Sequence, residues 1–297
     1  MKTKISTIAG LVLCTALLNL TGCTQAEEVT NPEIQADQAK VSVQVNNFTI
    51  SFDDLPSTRA AVDPSTYADI GAITLAFYAG DEEVYKTTQL KSEALSFGQF
   101  SLSLPMGSYK MVVLGYDYYG SDALVLTSAT AAEFTSDHVR ETFCYTQDVS
   151  ITSTAAVSLS ATLSRIVSEL KIVSTDNKSA NASTVRTTFL AGGKAFNPST
   201  GLALADTGFS NIVGASQKVG APTTSTNFLF LTSDEQTIDI TIDVLDAAGN
   251  SISQRVVPDV PLKRNRITTL RGSLYTSGTT AAFQLETSWL PGHEQNF

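Results

Sequence analysis

Phe100-Ser101-Leu102-Ser103-Leu104-Pro105-Met106-Gly107 is the stretch on which the fold turns. Phe100, Leu102 and Leu104 alternate with serines, the period of a strand that buries one face. Pro105-Met106-Gly107 is a turn signal, after which residues 109–119 return as a near-continuous apolar run. The same alternation extends in both directions. Upstream, Val41, Val43 and Val45 alternate with polar residues; Asn46-Asn47 breaks the phase, and Phe48, Ile50 and Phe52 resume it, which predicts a half-buried strand with a bulge or bend. Residues 53–69, with Pro56 and Pro64, read as a loop, and 73–78 as the next strand. Downstream, Val157, Leu159, Ala161 and Leu163 alternate, as do Ile238, Ile240, Ile242 and Val244. Ala247-Ala248-Gly249-Asn250 predicts a hairpin into residues 252–257.

Clear helices are scarce. Leu163, Ile166, Val167 and Leu170 have helical spacing, yet Lys171-Ile172-Val173 continues equally well as a strand, and both readings stand. Two runs of strands meet near residue 166. Residues 177–226, rich in Ser, Thr, Gly and Asn, predict long loops decorating the second run. The expected fold is all-β, two consecutive antiparallel β-sandwich domains over 41–165 and 166–297.

The first residues read as export machinery. Lys2 and Lys4 form a basic start, residues 8–18 are apolar but too short to span a bilayer, and Leu20-Thr21-Gly22-Cys23 looks like a lipobox. Residues 1–22 are thus expected to be a lipoprotein signal peptide, Cys23 the lipidated residue and 23–40 a polar tether. The rival readings are an ordinary secretory signal with a chance cysteine, or a buried apolar helix. The signal carries two lysines and no acid, so its loss leaves 275 residues and moves the net charge from −10 to −12. An acidic surface argues against nucleic acid and against docking to anionic lipids, leaving the acyl chains (palmitate) as the link to the outer membrane. Cys144 is then the lone thiol of the body, so no internal disulfide forms; between Phe143 and Tyr145 it reads as a small buried hydrophobe.

Little in the chain suggests catalysis. His138 and His293 lack neighbours at metal-ligand spacing, and no phosphate loop or nucleophile elbow occurs. Asp239, Asp243 and Asp246 suggest a calcium site, but Asp239 and Asp243 fall opposite the apolar phase of their strand and read as a solvated face. Gly115-Tyr116-Asp117-Tyr118-Tyr119-Gly120 reads either as a sugar-binding aromatic platform or as a strand end with inward tyrosines. No enzyme activity, cofactor or metal is expected.

A resemblance emerges from several segments in order. They are the lipobox; Phe52-Asp53 followed by Ser57-Thr58-Arg59-Ala60; Leu104-Pro105-Met106-Gly107-Ser108-Tyr109; Val260-Pro261-Leu262-Lys263-Arg264-Asn265 running into Thr268, Thr269, Gly272 and Leu274; and a terminal strand ending near Trp289. Together they resemble the fimbrillins and fimbrial anchor proteins of the type V pili of the Bacteroidales. Glu27 and Glu28 behind the lipid cysteine also resemble the surface-export signal of lipoproteins in the Bacteroidetes, or are simply a solvated tether. The resemblance implies two transthyretin-like sandwiches. It also implies cleavage after an arginine in the loop behind the first strand, here Arg59 with Ala60 as the new N-terminus, removing residues 41–59. A strand of the next pilus subunit then fills the groove. The matching donor is 281–289, with Phe283, Leu285, Thr287 and Trp289 on one face; its rival reading is the last strand of its own domain. The implied function is a structural subunit of a surface fimbria with a role in adhesion. The alternatives are a membrane-retained fimbrial anchor and a monomeric surface glycan-binding lipoprotein.

Overall fold

Strands need a second layer to bury their apolar faces, and the chain answers that need three times over. The computed structural model describes residues 37–50, 60–62, 67, 69–120, 123–215, 218–276 and 284–289, with the backbone alone at 47, 49–50, 60–62 and 284–289. Among the described residues every regular element is a strand.

The first half contains β1 (Gln38–Ile50), β2 (Ala60–Val62), β3 (Ala72–Ala79), β4 (Glu82–Leu90), β5 (Gln99–Pro105), β6 (Gly107–Tyr116), β7 (Leu124–Ser128), β8 (Ala131–Phe134), β9 (Thr142–Ile151) and β10 (Val157–Arg165). Eight of these form one sheet, ordered β2-β1-β10-β9-β6-β3-β4, with β5 also paired to β1. β9 and β10 meet only where Ser164 faces Cys144 and Arg165 faces Phe143. The sheet folds over at that corner into two layers. Val41, Val43, Phe100 and Leu102 from one layer meet Ile73, Leu75, Phe77, Met111 and Val113 from the other.

The second half contains β11 (Ser168–Ser174), β12 (Thr184–Phe189), β13 (Ala195–Asn197), β14 (Leu202–Ala203), β15 (Phe209–Gly214), β16 (Thr224–Leu229), β17 (Glu235–Leu245), β18 (Ser251–Lys263), β19 (Arg266–Gly272) and β20 (Gln284–Trp289). Sheets ordered β16-β11-β19-β20 and β15-β12-β17-β18 enclose a core that includes Leu170, Ile172, Val185, Ile240, Ile242 and Leu270. A further sheet, β14-β13-β8-β7, joins the halves. It covers the outer face of β3 and β6, where Ala76, Tyr78, Val112 and Leu114 pack with Phe134, Phe196 and Phe230. β6 is therefore buried on both faces, which is why its sequence runs apolar without alternating.

Several readings are refined. The ambiguous stretch around 163–173 is strand throughout, β10 ending at Arg165 and β11 starting at Ser168. Most ladders are antiparallel, but β1 with β10 and β11 with β19 run parallel. Residues 177–226 are not decorating loops: they supply β12 to β15 and the start of β16. Their strands are polar, and hydroxyls and amides pair across them; Thr188 Oγ1 lies 2.7 Å from Ser210 Oγ and Asn211 Nδ2 donates to Asn227 Oδ1 at 2.9 Å. The loop reading of 53–69 also needs correction, because it contains β2, paired to β1. Asp243 is buried and not solvated, since Arg186 and Gln254 on the neighbouring strands close over it with hydrogen bonds of 2.9 and 2.8 Å. The hairpin at 247–250 forms as expected, Asp246 Oδ1 accepting the backbone N–H groups of Ala248 at 2.9 Å and Asn250 at 2.8 Å.

Candidate functional site

The first strand occupies the site that the sequence singles out. β1 lies between two partners. On one edge it runs parallel to β10, from Val41 opposite Val157 to Thr49 opposite Ser164, with an irregularity between Val45 and Asn47 where the asparagine pair breaks phase. On its other edge β5 pairs from Gln38 to Gln44 and β2 pairs from Phe48 to Ile50. Ala39, Val41, Val43, Val45 and Phe48 face the core and are buried. Burying the three valines and the phenylalanine contributes about 6 to 12 kcal/mol gross.

Phe48 sits in a slot cut to its shape. Its ring meets Phe143 edge-on at 4.9 Å and Tyr67 at 5.9 Å between centroids. The floor is Gly115: a Cβ there would come within 2.6 Å of Phe48 Cε1. Glycine inside a strand marks such a close approach.

Beneath the slot lies a charged network that the sequence reading missed. Arg165 pairs with Glu141, and both are buried. Tyr67 Oη donates to Glu141 Oε1 at 2.9 Å, and Arg165 Nη2 donates to Tyr67 Oη at 2.5 Å. Arg165 Nη1 donates to Asn265 Oδ1 at 3.3 Å, and its guanidinium lies 5.0 Å from the Phe143 ring centroid. Burial pushes the Glu141 carboxyl up, against the pull of Arg165; burial likewise pushes the Tyr67 phenol up. The signal was present: the inward phase of Val157, Leu159, Ala161 and Leu163 continues to Arg165, so a cation stands where the next core residue belongs. Nearby, Glu169 at the start of β11 is pushed up to about 7, chiefly by burial.

The other expected positions fall as follows. Cys23, Arg59, Phe283 and His293 lie outside the described residues. Ala60 opens β2, opposite Ile50. Leu285 lies opposite Leu270, Thr287 opposite Thr268 and Trp289 opposite Arg266, so β20 rests on β19 of its own chain as the outermost strand of that sheet. Cys144 is buried, its Sγ donating to Pro198 O at 3.2 Å, and burial pushes its thiol up. Along 115–120, Tyr116 is buried and Tyr118 half-buried, while Tyr119 is exposed with Arg140 stacked 5.2 Å from its ring centroid. Tyr116 thus points inward at the end of β6, while Tyr119 does not. Among the described residues no group of three or more metal-capable side chains occurs, and no helix is long and apolar enough to cross a membrane.

A sequence profile of a family of unknown function (DUF6562) matches residues 35–291. No curated protein matches the sequence. Among solved structures, a candidate adhesin from Bacteroides ovatus superposes with a TM-score of 0.52 at 10% identity, covering 86% of this chain and 97% of that one. The fimbrial anchor protein Mfa2 from Porphyromonas gingivalis gives a TM-score of 0.47 at 9% identity, covering 85% of this chain and 98% of that one. At such identities the likeness concerns the fold.

Proposed function

The chain belongs to that family of unknown function (DUF6562), and from that premise we propose that it is a structural subunit of a cell-surface fimbria with a role in adhesion. In this reading it is exported as a lipoprotein on Cys23, cleaved after Arg59 and polymerised by strand exchange with other pilus subunits. The fold shared with a candidate adhesin supports a surface role. The observation that carries the mechanism is the placement of β1. It fills an apolar groove between β5 and β10, and the chain then passes through residues 51–59 before rejoining the body at β2. A cut after Arg59 therefore turns β1 into a separate peptide held only by its ladders and its buried face. Its departure would leave a groove with two unpaired edges and an apolar floor, which a strand of another subunit can fill with the same hydrogen bonds. Repeated head to tail, that contact does not close and yields a filament.

The double ladder on β1 also favours a second reading, in which the chain keeps β1 and its lipid and serves as a membrane-retained anchor. Intact mass and N-terminal sequencing of the protein from sheared surface material and from washed membranes separate the two. An SDS-resistant ladder of chains beginning at Ala60 is the expected result for a polymerising subunit. A single membrane-bound species beginning at lipidated Cys23 overturns that reading in favour of the anchor.

A further inference from the structure

The buried face of β1 is not uniform along its length. Val41, Val43 and Val45 succeed one another at the strand period, all three buried. Like side chains at that spacing fix register poorly, because a slip of two residues keeps the same face inward and returns valine to valine. Phe48 ends this degeneracy. It lies past the irregularity between Val45 and Asn47, opposite Leu163 of β10 and Val62 of β2, and is fully buried. The space it occupies is closely bounded. A Cβ built on Gly115 would meet Leu163 Cδ2 at 3.2 Å as well as the Phe48 ring at 2.6 Å, so ring and glycine backbone are already in contact.

The walls of the slot add a second demand. Phe143 and Tyr67, which flank the Phe48 ring, are also the aromatic groups that touch Arg165. The Arg165 side chain is 1% exposed and that of its partner Glu141 8%. A valine in place of the ring would leave a void beside this buried ion pair, at the cost of a cavity and of weaker cover for two charges. A tryptophan would overfill a space in which Gly115 already leaves no margin. The slot therefore discriminates in both directions, against smaller side chains and against a larger ring.

Resting on the strand-exchange reading, we propose that the slot over Gly115 is the specificity-determining subsite of the groove. The strand that replaces β1 comes from a second copy of this chain and seats Phe283 there, which sets its register. Residues 281–289 contain a single phenylalanine, with Leu285 and Thr287 following at the strand period. The test uses the full chain cut after Arg59, with β1 still seated, and reads its replacement by synthetic peptides in native mass spectrometry. The peptides span residues 38–50 (unaltered, Phe48→Val, Phe48→Trp and Val43→Ala) and residues 281–290 (unaltered and Phe283→Val). Both unaltered peptides are expected to enter. Phe48→Val, Phe48→Trp and Phe283→Val should each enter about tenfold or more weaker, and Val43→Ala should lose less. Phe48→Val or Phe48→Trp entering as well as the unaltered peptide overturns the subsite while exchange itself stands. Entry of 38–50 without 281–290 overturns the choice of a second copy. If no peptide enters at all, the strand-exchange reading falls, and this proposal with it.

Discussion

β1 and β20 are both strands proposed to take part in exchange, and the chain holds them very differently. β1 is paired along both edges and buries a row of core side chains. Among the described residues β20 is paired along one edge only, at the margin of its sheet. A strand with two ladders is part of the body it sits in; a strand with one can leave without dismantling the sheet behind it. In the proposed exchange, intact chains are thus held back by the strand that must leave, and a cut in the connection after β1 would remove its covalent tether while leaving its ladders and buried face to be displaced.

Breaking the comparison at its stronger end should give the largest effect. A chain beginning at Ala60 forfeits the burial of Val41, Val43, Val45 and Phe48, about 6 to 12 kcal/mol gross. It is expected to lose cooperative unfolding by circular dichroism and to regain it when a synthetic peptide spanning residues 38–50 is added. Restoration by a peptide spanning 281–290 would make the exchange direct.

The next effect concerns the sheet that carries β20. Glu169 on β11 is pushed from its ordinary 4.5 to about 7, by burial first, with Glu141 also raising it and Lys171 and Arg165 opposing. The folded chain binds this proton more tightly than the unfolded one. Its contribution is therefore fully present below pH 4.5, declines as pH rises to about 7 and is absent above, a change of about 3 kcal/mol. Glu169→Gln should flatten that window in urea-denaturation midpoints measured from pH 4 to pH 8, and stabilise the protein at pH 8.

A smaller effect sharpens the groove itself. Gly115→Ala drives a methyl into Phe48, and overpacking of this kind costs about 2 kcal/mol. Combined with Phe48→Leu it should cost less than the sum of the two single changes, which thermal denaturation of the double-mutant cycle would read.

The smallest effect is expected at β20. Ending the chain at Thr276 gives up one ladder while freeing the residues beyond it, a net cost of about 1 to 2 kcal/mol by chemical denaturation. A loss as large as that of β1 would erase the difference between the strands.

Much of this architecture was legible because it rests on alternation. Val41 to Phe48, Phe100 to Leu104 and Ile238 to Val244 announce strands, and the asparagine pair in β1 announces the irregularity seen there. The polar strands escaped notice because Thr184 to Phe189 and Phe209 to Gly214 gain much from hydroxyl and amide pairs across strands, which leave no hydrophobic period. Parallel pairing of β1 with β10 was invisible because alternation reports which face is buried, not which strand is the neighbour. The Arg165–Glu141–Tyr67 network joins residues far apart in the sequence, and only the inward phase of Arg165 hinted at it. Asp243 misled for a related reason: the outward face of a strand stays wet only if neighbouring side chains leave it so.

The two parallel ladders have a mechanical consequence. When tension draws the start of β1 and the end of β10 apart, the force runs along their shared axis and strains the whole ladder together, instead of opening it one bond at a time. β11 and β19 repeat the arrangement in the second half. Each half therefore meets a longitudinal pull in shear, the geometry in which a sheet of given strength resists traction best.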